Sequence, residues 1–113
     1  MINRSEILKQ ADRLINGQRA KDYGDAYHNH SRIVDGWNII VREAMYDTGY
    51  LTTAHVALMM DWVKTARLLQ TPDHEDSWID KCGYSALGAE FAARDGQSVD
   101  ELINNLREPD EDN

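Results

Sequence analysis

The chain has 113 residues, 42% hydrophobic and 28% charged, with no apolar run near the roughly 20 residues that span a bilayer, so one globular domain without a membrane segment is expected. Twelve lysines and arginines stand against 20 acids, for a net charge of −8 and no basic run, which disfavours nucleic-acid binding through phosphates; a free phosphate ligand needs only two or three local cations. The single cysteine, Cys82, excludes an intramolecular disulfide and a thiolate zinc cluster and fits a cytoplasmic protein.

The N-terminus, MINRSEILKQ, lacks the apolar core of a signal peptide. A first helix is predicted over 5–16. Asn3 with Glu6 resembles a capping box, Ile7, Leu8, Ala11, Leu14 and Ile15 form its apolar stripe, and Gly17 ends it. GQRAKDYGD follows as a loop. A second helix is predicted over 25–47, with Ile33, Val34, Trp37, Ile40, Val41, Ala44 and Met45 at three- and four-residue steps, and Gly49 as its stop. His30 falls on that stripe and reads as a hydrogen-bonded core histidine. The string YHNH (27–30) sits inside this helix, which rules out the dispersed ligands of a ββα-metal nuclease.

A third helix is predicted over 53–70, capped by Thr52 or Thr53, with His55 at its surface or cap. AHVALMMDWV is apolar on almost every side and is expected to be central and buried. Asp61, Lys64 and Arg67 share one of its faces. A fourth helix, over 75–94, is entered through Pro72 and Asp73. Its small residues, Cys82, Gly83, Gly88 and Ala89 among them, point to close packing, since each interior glycine costs about 1 kcal/mol against alanine. Cys82 lacks an evident basic partner, sits among small residues and reads as core. Ser98 with Glu101 opens a short fifth helix, about 99–107, before an acidic tail at 108–113. No segment alternates with period two. The expected fold is all-α: a single bundle of four main helices plus a short C-terminal helix, with helices three and four antiparallel.

Four groups of residues carry candidate chemistry. Lys64 and Arg67 snorkel to water, pair with helix-four acids, or clamp a phosphate, Arg as a planar fork and Lys as a point charge. Asp76 and Asp80, four apart, share a helix face that Tyr84 continues; they read either as a structural ion-pair network or as oxygen ligands for Mg²⁺ and its phosphates. His74, in the turn before them, is either an idle loop histidine or a general acid or base. Asn29 lies near Tyr23, Gly24 and Asp25, and together these could close a ligand pocket. The string at 74–76 is His-Glu-Asp, which does not match an H…HD…D phosphohydrolase, and no phosphate-binding loop, GxGxxG or GxSxG occurs.

YGDAYHNHSRI, VALMMDWVKTARL and HEDSWIDKCGYSALGAE together resemble a small phage-encoded domain family of unknown function, over about residues 7–92. The resemblance implies a phage or prophage origin, and a place in the cytoplasm of the host cell. The family's polar signature falls on Tyr23, Gly24, Asn29, Lys64, Arg67, His74, Asp76, Ser77, Asp80, Gly83 and Tyr84. More distantly the chain is similar to the all-α NTP pyrophosphatases, the MazG and dimeric dUTPase group, which hold Mg²⁺ with ExxE and ExxD motifs. Here Asp61-x-x-Lys64 puts a cation in place of an acid.

These readings lead to a nucleotide-handling protein. Lys64 and Arg67 would hold phosphate. Asp76 and Asp80 would bind Mg²⁺ or orient the substrate, His74 would move a proton, and Tyr23, Gly24, Asn29 and Tyr84 would line the pocket. The alternatives are a non-catalytic binder that sequesters a host nucleotide signal, and an acidic protein that binds a host protein through its surface. Homo-oligomerisation is expected under all three, because the apolar faces of helices two and three exceed what one small bundle covers.

Overall fold

The computed structural model describes residues 2–17, 25–96, 104 and 106. Among them it holds four α-helices and no strand: α1 (Arg4–Asn16), α2 (Ala26–Asp47), α3 (Thr53–Gln70) and α4 (Glu75–Asp95). The expected all-α fold with four main helices is therefore what forms, and each predicted boundary falls within a residue of the observed one. Of the predicted fifth helix only residues 104 and 106 are described, both helical; its other positions, the acidic tail and the 18–24 stretch with Tyr23 and Gly24 lie outside the described residues.

Local chemistry explains the ends of the helices. Asn3 Oδ1 accepts the Glu6 N–H at 3.0 Å, and Asp25 Oδ1 accepts the Tyr27 N–H at 3.1 Å. At α3 a reciprocal box closes: Thr52 Oγ1 accepts from the His55 N–H at 3.4 Å, and His55 Nδ1 accepts from the Thr52 N–H at 2.9 Å. His55 is thus a cap residue. Gly49 ends α2 with φ +82°, a left-handed conformation that suits glycine, and its N–H returns to the Ala44 carbonyl at 3.1 Å. At the start of α4, the Trp78 indole donates to the Pro72 carbonyl at 2.9 Å and ties the helix to its entry turn.

α3 is the hub. α2 packs on it, and α4 packs along it more extensively. Both neighbours run antiparallel to it. Trp37 of α2 meets Met59 while Arg32, one turn and more earlier, meets Trp62 and Ala66. Asp80 and Lys81 of α4 meet Lys64 and Asp61, and Asp95 meets Thr53. Two indoles stitch the α2–α3 seam in opposite directions. Trp37 Nε1 donates to the Met59 carbonyl at 2.8 Å, and Trp62 Nε1 donates to the Arg32 carbonyl at 2.9 Å. Gly36 lies under the Trp62 ring, where a Cβ would fall on the indole itself.

Three expectations about burial need correction. AHVALMMDWV is not buried all round: Ala57 is, but Val56 and Leu58 are about half exposed (49% and 56%), because α2 and α4 cover only two sides of α3. His30 is exposed, with Nδ1 2.7 Å from the Ala26 carbonyl of its own helix. Cys82 is also exposed, on the side of α4 turned away from α3. The glycines of α4 divide. A Cβ at Gly88 would come 3.1 Å from the Ala57 Cβ, the close approach expected, whereas Gly83 faces open space. In α1 no residue is buried.

Candidate functional site

Two of the polar residues singled out by sequence meet across the α3–α4 seam. Lys64 Nζ lies 2.9 Å from Asp80 Oδ2, so helices three and four do bring a predicted cation to a predicted acid. The lysine side chain is 16% exposed and the aspartate 45%, so the pair sits at a rim. One turn deeper runs a second pair that the sequence did not single out. Lys81 Nζ reaches both oxygens of Asp61, at 3.0 and 3.1 Å, and the Thr65 hydroxyl at 2.5 Å. The Asp61–Lys81 spacing of 20 residues carries no local signal; only the antiparallel hairpin brings them together.

The inward face of α4 is rotated from the one expected. Sequence spacing put Asp76, Asp80 and Tyr84 on one face toward α3. The positions that turn inward are Ser77, Lys81, Tyr84, Gly88 and Phe91, while Asp76 and Asp80 are exposed. The physical reason is that Lys81 has an acid and a hydroxyl waiting for it on α3, and Gly88 lacks the side chain that would crowd Ala57. Asp80 joins the site because Lys64 reaches out to it.

His74 occupies the N-cap position of α4, where its backbone carbonyl accepts the Ser77 N–H at 3.1 Å. Its Nδ1 lies 2.7 Å from Ser77 Oγ, and Ser77 is fully buried. The ring is thus oriented by a hydroxyl one turn into the helix. Glu75 and Asp76 fall in the first turn, where negative charge favours the helix N-terminus. Tyr84 is part-buried and lines two grooves, one on either side of the α3–α4 contact.

On the other side of α3, Arg32 of α2 donates from Nε to the Ala66 carbonyl at 3.3 Å, and its guanidinium lies 3.5 Å from Asn29 Oδ1. Arg32 is a cation that sequence reading passed over, and it places Asn29 near the same stretch of α3. Arg67 follows Ala66 and is part-buried. Four part-buried cations, Arg32, Lys64, Arg67 and Lys81, therefore stand on or reach the 61–67 stretch from three helices. Among the described residues, no three of His, Cys, Asp and Glu come together as a metal-binding group. A Mg²⁺ on Asp76 and Asp80 would have to draw its remaining oxygens from a ligand or water.

At the far end of the same seam, Asp95 accepts from the Thr53 hydroxyl at 2.9 and 3.0 Å and from the Ala54 N–H at 3.1 Å. The Ala54 N–H, followed by the Thr53 hydroxyl, holds the Asp95 carboxyl below its ordinary value. The last turn of α4 thus serves as a second cap for the first turn of α3.

Comparison with known proteins agrees with the resemblance to a small phage-encoded domain family of unknown function. The "Gene 55 protein" of Mycobacterium phage L5 is 41% identical over 81 residues, which cover 72% of this chain and 49% of that protein. The "Gene 55 protein" of Mycobacterium phage D29 is 36% identical over 83 residues, 70% of this chain and 48% of its own. The chain spans about half the length of these curated relatives. No solved structure matches it. The family described as "Domain of unknown function (DUF6378)" matches residues 6–92, from the first turns of α1 almost to the end of α4, and the chain belongs to that family.

Proposed function

We propose that this chain binds a phosphate-bearing small molecule, of the nucleotide class, at the polar seam over positions 61–67 of α3. The observation that carries this reading is that part-buried cations lie on or reach positions 61–67 of α3, Lys64 and Lys81 on its α4 side and Arg32 on its α2 side, in a chain whose net charge is −8. Asp80 holds Lys64 and Asp61 holds Lys81, so each lysine is already placed beside a carboxylate that a phosphate would replace. Part-buried cations interact with an anion more strongly than solvated ones, since the local dielectric is lower. The half-exposed Asp80 can give up Lys64 to a phosphate at little cost, because exposed ion pairs contribute about 0–1 kcal/mol. Arg67 supplies planar recognition of phosphate oxygens and Lys64 a point charge. Tyr84 lines the seam and Asn29 stands with Arg32 on the α2 side of the same stretch, while Tyr23 and Gly24, ligand contacts expected from the sequence, lie outside the described residues. Asp80, once released, and Asp76 would orient the ligand or share a Mg²⁺ with its phosphates, with His74 as the proton carrier for hydrolysis or phosphate transfer.

A second reading, binding without turnover, is favoured by one observation: Asp61 and Asp80 are both held in ion pairs with lysines rather than left as a bare carboxylate pair. Both readings meet one test. Thermal melting is followed with mono-, di- and triphosphates and cyclic nucleotides, with and without Mg²⁺, since a ligand that binds only the native state raises Tm by mass action. A rise with one class, abolished by Arg67→Ala and reduced by Lys64→Ala, supports the site, and product analysis of that mixture separates enzyme from binder. No rise with any nucleotide at millimolar concentration sinks both and leaves the seam as a structural network, with a host-protein role for the acidic surface.

A further inference from the structure

We infer that this chain is a homodimer in which the apolar stripe of α1 from each copy lies in the groove between α3 and α4 of the other. α1 and that groove are two unpartnered apolar faces of one molecule. Ile7, Leu8, Leu14 and Ile15 are 50%, 70%, 49% and 70% exposed, and no residue of α1 is buried. A 13-residue helix is marginal in water on its own, because isolated helices shorter than about 12–15 residues gain too few bonds to offset nucleation. Its stripe therefore needs a covering surface.

The groove offers one. Val56, Met60, Tyr84, Leu87 and Phe91 line a channel of about 270 Å³, with Val56 and Leu87 nearly half exposed. Its ridges follow three- and four-residue steps on both helices. The stripe of α1 has the same spacing, the pattern of an amphipathic helix laid into a two-helix groove. The charges agree as well. α1 is net positive, with Arg4, Lys9 and Arg13 over Glu6 and Asp12, whereas α4 is net negative, with five acids over Lys81 and Arg94.

A second copy carries both halves of this match, the cationic apolar stripe and the groove beside an acidic helix, so each copy supplies the surface the other needs. Reciprocal exchange satisfies both faces of both copies with one two-fold axis.

The test is the mass of the full chain in solution by light scattering, across a hundredfold range of concentration. Twice the 12.9 kDa chain mass is expected. Leu8→Asp on α1 and Leu87→Asp in the groove should each weaken the dimer about 100-fold or more, since each drives a charge into an apolar contact. Circular dichroism checks that the helices persist. Mixing the two variants should restore a dimer, because one of its two contacts is then wild-type on both sides. If either variant loses its helices, wild-type protein decides alone: α1 amides should lose hydrogen-exchange protection on dilution, together with the dimer. A monomer at every concentration, a dimer indifferent to both substitutions, no rescue on mixing folded variants, or α1 protection unchanged on dilution through dissociation would overturn the inference.

Discussion

The indole of Trp62 fills the space that a side chain at Gly36 would need, and from there it donates to the Arg32 carbonyl at 2.9 Å. The absence of a Cβ at position 36 is thus what lets α2 and α3 approach closely enough for that bond. Gly36→Ala should gain up to about 1 kcal/mol of helix propensity and lose more through the collision, for a net loss of about 2 kcal/mol. Urea unfolding followed by tryptophan fluorescence measures it, and a variant at least as stable as wild type would show that the ring shifts freely. Trp62→Phe keeps most of the packing but drops the bond, and should cost about 1 kcal/mol.

The two lysine pairs of the seam differ in worth. Lys81 answers Asp61 and Thr65 together, at side-chain exposures of 23% and 27% for the charged pair, whereas Asp80 is 45% exposed opposite Lys64. Lys81→Met should therefore destabilise by about 1–3 kcal/mol, the cost of leaving shielded polar groups without their partner. Lys64→Met should cost less than about 1 kcal/mol. Chemical denaturation of the two variants ranks them; the reverse order would mean that Lys64 carries structure and would weaken its assignment to a ligand.

Asp95 ties stability to acid pH. Its carboxyl is held below its ordinary value by the Ala54 N–H and the Thr53 hydroxyl, so the native state favours the ionised form. The stabilisation is present above the unfolded-state value of about 3.9 and fades as pH falls through the lower native value. Asp95→Asn should lower Tm at pH 7, and the gap to wild type should narrow below pH 4. Melting curves from pH 2.5 to 7 test this, and a gap constant across that range would assign the loss to packing rather than charge.

Ser77 is fully buried with its hydroxyl 2.7 Å from His74 Nδ1. His74→Ala should cost about 1–3 kcal/mol, because it removes the partner of a buried hydroxyl at the start of α4. Ser77→Ala with His74 intact should be milder, about 1 kcal/mol, as the histidine ring has water within reach. If His74→Ala leaves stability unchanged in thermal melts, the pair does not hold the helix start.

Helix positions were legible in the sequence because their causes are local. Apolar residues recur at helical spacing, Asn3, Asp25 and Thr52 are good caps, and Gly49 and Pro72 break the chain. The antiparallel pairing of α3 and α4 was also legible, since a connection of four residues leaves little choice. That pairing brought Lys64 to Asp80 as the spacing suggested.

What the tertiary structure alone decided was which side of each helix is covered. Asp61–Lys81, Thr53–Asp95 and Gly36–Trp62 lie 20, 42 and 26 residues apart in sequence and depend on the rotation of each helix about its own axis. A rotation of one residue moves a side chain by about 100° without altering the hydrophobic pattern. That is why Asp76 and Asp80 turned outward and Lys81 inward. Exposure is likewise not written in periodicity. The stripe of α1 and the apolar run of α3 mark surfaces that need burial, but only three-dimensional packing shows that α2 and α4 leave much of them uncovered.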